Sequence, residues 1–174
     1  MDMLRELRKL KPLVVHFSGH GGQPLAGAHP PGQGVRRDVA LGPHGADQGG
    51  LFFQGPDGQA QVVSAAALAE TFGAAGASVQ LVVLNACYSA VQAAALIAHV
   101  DCVVGMAGSI EDDAARSFAI GFYGGLGERE SVGAAYQQGR AAISLEGLRD
   151  GDRPQLQVRA GVDATQLVLA ADPR

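Results

Sequence analysis

The chain has 174 residues, enough for one domain with a sizeable core, and 47% hydrophobic against 17% charged content excludes a mainly disordered protein. A net charge of −4 with few Lys/Arg clusters argues against nucleic acid or an anionic membrane as the main partner. No apolar run approaches the roughly 18–20 residues of a membrane-spanning helix. Two cysteines without a disulfide framework, and a charged helical N-terminus in place of a signal peptide, suit a reducing cytoplasm.

Residues 2–10 put Leu4, Leu7 and Leu10 on one helical face, and Pro12 ends that helix. An apolar strand at 13–17 runs out into Gly19-His20-Gly21-Gly22. From Gly19 to Gly50 the sequence is rich in Gly, Pro, Gln, Arg and His without periodicity. It reads as a long loop, its body at 23–50, of the kind that is functional or disordered. Leu51-Phe52-Phe53-Gln54 and Gln59-Ala60-Gln61-Val62-Val63 flank a Pro-Asp-Gly turn and predict a hairpin. Ser64 can cap a helix from Ala65 to Phe72, closed by Gly73 or Gly76.

Leu81 to Ala86 is a continuous apolar run, as a strand buried on both faces requires, and a helix-compatible segment follows from Ala90 to His99. A second such strand covers 101–106. Asp112 or Asp113 can cap a helix to about Leu126, and Ser131 one from Val132 to about Leu145. Gln155–Ala160 and Gln166–Ala170 predict a closing strand pair. Strand–helix alternation with short connections gives an α/β fold, a mostly parallel sheet covered on both faces, in a single domain over 1–174 without internal repeats. Because strand 13–17 comes first, the sheet is expected to be incomplete at that edge. An exposed apolar edge is normally avoided, so upstream residues, a regulatory partner or a second copy would complete it.

The chemistry concentrates at two strand ends. Cys87 closes the 81–86 strand near a helix N-terminus, the edge of an open α/β sheet where ligands gather and where a thiolate is favoured. A free cysteine is often inert core, and Cys102, inside a Val-rich strand, fits that description. Cys87 instead stands beside Asn85, Tyr88 and Ser89. His20 lies in a glycine turn at the end of strand 13–17, positioned to act as general base and then as acid to a leaving amine. The Gly21 and Cys87 amides could form an oxyanion hole.

His16 is the rival base. With His20 it also offers a metal pair at i and i+4, but on a strand and turn and without an obvious third ligand, so metal: none is the expectation. His29, His44 and His99 read as solvated or structural. Glu111, Asp112 and Asp113 follow a strand end at the Cys87 edge. They serve either as helix caps or, with Asn85, as a substrate-binding wall whose carboxylates select a basic side chain.

His-Phe-Ser-Gly-His-Gly at 16–21 and Val-Val-Leu-Asn-Ala-Cys-Tyr-Ser at 82–89 resemble the two motifs of the CHAT family, a bacterial branch of the caspase-like cysteine peptidases (clan CD, with caspases, metacaspases, separase and clostripain). The stretch from Val103 to Ala115, with Phe118 and Phe122-Tyr123 after it, is also similar. That resemblance implies a three-layer α/β/α sandwich, a His20–Cys87 dyad with the Gly21 amide in the oxyanion hole, and endopeptidase cleavage of protein or peptide substrates without cofactors. Relatives commonly act in bacterial defence or cell-death signalling. The caspase signature Gln-Ala-Cys-[Arg/Gln/Gly]-Gly is not matched. His20 and Cys87 are 67 positions apart (20 to 87) against about 50 in caspases, and the long loop accounts for the excess. Two other functions fit the sequence: an inactive relative serving as a partner-binding module, and a thiol hydrolase or transferase acting on metabolites with the same dyad.

Overall fold

The structure, a computed structural model, describes residues 3–22, 49–55 and 57–169. Its elements in order are α1 (Met3–Leu10), β1 (Val14–Ser18), β2 (Gly21–Gly22), β3 (Gly50–Gln54), β4 (Ala60–Val63), α2 (Ala65–Ala75), β5 (Leu81–Asn85), α3 (Ala90–Leu96), β6 (Cys102–Met106), α4 (Asp112–Gly127), α5 (Val132–Leu145) and β7 (Pro154–Val158). The main sheet has the order β1-β5-β6-β7, the first three strands parallel and β7 antiparallel to β6. A small antiparallel sheet, β2-β3-β4, sits beside it in sequence order.

The strand period of two divides the apolar runs between two cores. Leu81 and Val83 of β5, with Cys102, Val104 and Met106 of β6, pack under Ala114, Phe118 and Phe122 of α4 and Val132, Ala135 and Ile143 of α5. Val82, Leu84 and Val103 point the other way, to Leu7 of α1, Leu68 and Phe72 of α2, and Ala93 and Leu96 of α3. Both faces are thus covered, which explains why these strands have no polar alternation. The result is a three-layer α/β/α arrangement. Helices α4 and α5 approach closely because glycines meet there: a Cβ at Gly139 would overlap the Phe118 ring and carbonyl.

β1 is an edge strand of this sheet, paired with β5 alone among the described residues. Its apolar side chains are not left bare, since Val15 and Phe17 pack against the α1–α2–α3 core. The exposed side chains are the polar His16 and Ser18. Of the predicted helical face on α1, Leu7 is buried and Leu4 half-buried, but Leu10 is 67% exposed. Among the described residues no helix is long and apolar enough to cross a membrane.

Three expectations need correction. Gly21, Gly22 and Gly50, read as loop, are strand residues, whereas 23–48 lies outside the described residues, as do His29 and His44. The helix α4 is capped by neither Asp112 nor Asp113, which are its first helical residues. Glu111 holds the N-cap position without a side-chain cap, and its N–H donates to Asp150 Oδ2 at 2.9 Å. The 166–169 segment forms no strand. Its neighbourhood instead closes the start of α5, where the Val132 and Gly133 amides donate to Leu167 O and Ala164 O. Four orphan amides at a helix start compete for such carbonyls. Ser64 and Ser131 do cap α2 and α5, accepting from the Ala67 and Ala134 amides.

Candidate active site

Parallel pairing of β1 with β5 ends at Ser18 opposite Asn85. His20 and Cys87 each lie two residues beyond that pair, so both leave the sheet at the same edge. Gly19 N–H donates to Asn85 O at 3.3 Å and extends the contact one step further. The small sheet then fixes His20: Phe52 N–H donates to His20 O at 3.0 Å, and Gly21 stands opposite Leu51. In an antiparallel ladder such pairs alternate, so a hydrogen bond at His20 leaves the Gly21 N–H facing away from β3. A Cβ on Gly21 would overlap the Cys87 carbonyl oxygen, so the two motifs touch backbone to backbone.

Cys87 occupies a turn between β5 and α3, and α3 starts at Ala90, three residues later. Tyr88 takes φ +58, a left-handed conformation costly for a residue with a Cβ, at the point where the chain reverses. The flanking amides are occupied, Ala86 N–H by Leu84 O and Tyr88 N–H by Gly108 O. The Cys87 N–H between them has no backbone partner among the described residues. The Cys87 sulfur is half-buried and meets both backbone polar groups of one residue, Ile110. Ile110 N–H donates to Sγ at 3.5 Å, and Sγ–H can donate to Ile110 O at 3.7 Å.

Ser89 holds this turn, a role that its helix-start position did not announce. It is fully buried, donates through Oγ to Leu84 O at 2.8 Å and accepts from Met106 N–H at 2.9 Å, tying the turn to β5 and β6. Ser89→Ala should therefore leave the buried Met106 N–H unpaired, while Leu84 O keeps the Ala86 amide, and lower stability by about 1–3 kcal/mol in denaturant unfolding.

A cleft of about 520 Å³ opens over these residues, lined by His20, Cys87 and Asn85 at one end and by β1 and α4 along its length. Asp112, Ala115, Arg116 and Ala119 of α4 face it at helical spacing, and the two alanines leave room. Of the acidic trio, only Asp112 lines the cleft. Glu111 does not, and Asp113 pairs with Arg116 at 3.4 Å, both exposed. Asn85 donates through Nδ2 to Ala115 O at 3.4 Å, while its buried Oδ1 has no partner among the described residues. His16 also lines the cleft, opposite Val83 in the ladder, four residues before Cys87 in register. Its Nδ1 is 2.6 Å from the Tyr123 hydroxyl. Burial holds the His16 imidazole below its ordinary pKa and pushes the Tyr123 phenol up to about 12.

Cys102 is core, fully buried, its thiol pushed up to about 11 by burial and then by the Asp101 charge. His16 and His20 belong to no group of three or more His, Cys, Asp or Glu side chains able to hold a metal ion, among the described residues. His99 packs against Gly73 of α2, a structural position. Sequence reasoning missed the roles of Ile110 and Tyr123 at this site, and it placed Ser89 beside Cys87 without its bracing role; Tyr123 carried a signal, a polar aromatic at helical spacing from Asp112, Arg116 and Ala119.

A family model for the CHAT domain matches residues 2–158. The chain belongs to the CHAT domain family. CHAT domains are caspase-like, protease-type domains, and the α/β/α layering here has that form. Among curated proteins, none matches the chain. The matched span contains both motifs, the cleft between them and β7 of this CHAT domain, but not the segment that closes α5.

Proposed function

We propose that this CHAT domain is a cysteine endopeptidase using His20 and Cys87. The supporting observation is that adjacent parallel strands deliver the imidazole and the thiol to one cleft, each two residues past the Ser18–Asn85 pair. The Cys87 thiolate attacks the carbonyl carbon of the peptide bond, and the oxyanion faces the Gly21 and Cys87 amides. Protonated His20 gives its proton to the leaving amine as the C–N bond breaks, leaving a thioester on Cys87. Water, deprotonated by His20, then releases the acid and regenerates the thiol. No metal or cofactor enters this cycle. Both cysteines are free, which suits a cytoplasmic setting, and the family suggests bacterial defence or signalling as the context.

Labelling by a peptidyl acyloxymethyl ketone tests the reading. The probe should modify Cys87, fail on Cys87→Ala, react much less with His20→Ala and still label Cys102→Ala. A chain that resists the probe while remaining folded would be a binding module instead.

The cleft also favours a substrate class. Asp112 presents a carboxylate without an ion-pair partner among the described residues, and Arg116, the cation on the same wall, is paired with Asp113 at the surface. Cleavage after Lys or Arg fits that set. Asp112→Ala should lower kcat/KM for a lysyl substrate about tenfold relative to its norleucyl analogue, a length-matched neutral comparison.

A further inference from the structure

The cleft is also lined by a side chain, His16, that the proposed catalysis does not use. His16 pairs with Val83, inside β5, whereas Cys87 lies two residues past the end of that strand, yet the His16 ring lines the same cleft. Tyr123, coming from α4, fixes one ring nitrogen through the 2.6 Å bond to Nδ1. Nε2 is then the nitrogen left to meet a ligand. A neutral imidazole can offer either a donor or an acceptor there, because the Tyr123 hydroxyl can rotate to donate to Nδ1 or accept from it. An imidazolium offers only a donor and a positive charge.

We propose that His16, steered by Tyr123, sets a charge condition on this cleft: with a neutral ring it accepts a basic side chain between Asp112 and Asn85, and with a protonated ring it rejects one. The inference rests on the peptidase reading for its biological use, but not for its test. The ionisable groups lining the cleft with His16 are Asp112 and Arg116 from α4, His20 from the turn after β1, and Cys87 from the turn after β5; Tyr123 touches His16 from α4 without lining the cleft, and Asp113 sits on Arg116. Asp112 alone attracts a cation, and the phenol stays uncharged at any working pH. Burial already disfavours the imidazolium, so the accepting state is the resting one near neutrality.

The sign follows from reciprocity. A bound cation disfavours a second positive charge, so it must lower the His16 pKa; cation affinity must then fall by the same factor as pH falls through the His16 range. Proton NMR titration of His16 with and without saturating Nα-acetyl-lysine amide measures this without any catalysis. The expected result is a His16 pKa lower by about half a unit with the ligand, unchanged by Nα-acetyl-norleucine amide. In peptide cleavage, the lysyl-to-norleucyl ratio of kcat/KM should fall about threefold between about pH 7.5 and pH 5, which cancels titration of the dyad itself. In His16→Gln that ratio should stay flat with pH. An unmoved His16 titration, or a ratio equally pH-dependent in His16→Gln, overturns the proposal. A shifted titration in a chain that neither cleaves peptides nor labels at Cys87 overturns the peptidase reading and leaves the charge condition standing.

Discussion

Cys87→Ala should abolish peptide hydrolysis, and His20→Ala should lower kcat by about 10²–10⁴-fold with a much smaller change in KM. The two losses should not add, because base and nucleophile act as one unit; the double variant should be no worse than Cys87→Ala. Neither change should weaken the fold much. His20 is exposed and its ring makes no hydrogen bond among the described residues, while Cys87 is half-buried at the margin of the core and its sulfur meets the Ile110 backbone. Melting temperatures close to wild type in both variants would separate a catalytic loss from an unfolding one. Hydrolysis that survives Cys87→Ala would remove the thiol from the mechanism. A His20→Ala enzyme within a few-fold of wild type would return His16 to consideration as the base, despite its depth in the ladder.

Where burial on two faces dictated the sequence, the sequence was transparent. β5 and β6 are read correctly from uninterrupted apolar runs because both of their faces meet helices, and α5 is found to the residue because Ser131 caps it. That His20 and Cys87 leave the sheet at one edge was also legible, since it needs only two parallel strands ending there. What stayed hidden was decided by groups far apart in the chain. β2 is two glycines, without side chains to signal a strand, and exists because β3 offers a partner. Asp112 and Asp113 look like caps, but Asp150, remote in sequence, takes the helix-start amide instead. That leaves Asp112 free to line the cleft, and none of the acidic trio makes a side-chain cap. The 166–169 segment has strand composition, but the unpaired amides of α5 claim its carbonyls first.

Gly21→Ala should lower kcat/KM about 10²–10³-fold, the loss typical of one oxyanion-hole donor. Gly21 is not needed for an unusual backbone angle, because its φ is not positive. It is needed for space: the added Cβ would overlap the Cys87 carbonyl oxygen, which is main chain and cannot rotate aside. Something must move, and both sides are held. β2 is tied to β3 through His20 O and Phe52 N–H, and the Cys87 turn is tied to β6 through Ser89. Whichever side yields, the Gly21 and Cys87 amides separate and the dyad widens, so activity should fall further than stability. Overpacking of this kind costs about 1–3 kcal/mol. Gly22→Ala is the control, since among the described residues its Cβ would meet only the Phe52 ring, at 3.2 Å, and a side chain can shift. Comparable kcat/KM in the two alanine variants would show that the backbone contact between the motifs does not set the site. A Gly21→Ala enzyme with full activity would remove the Gly21 amide from the oxyanion hole altogether.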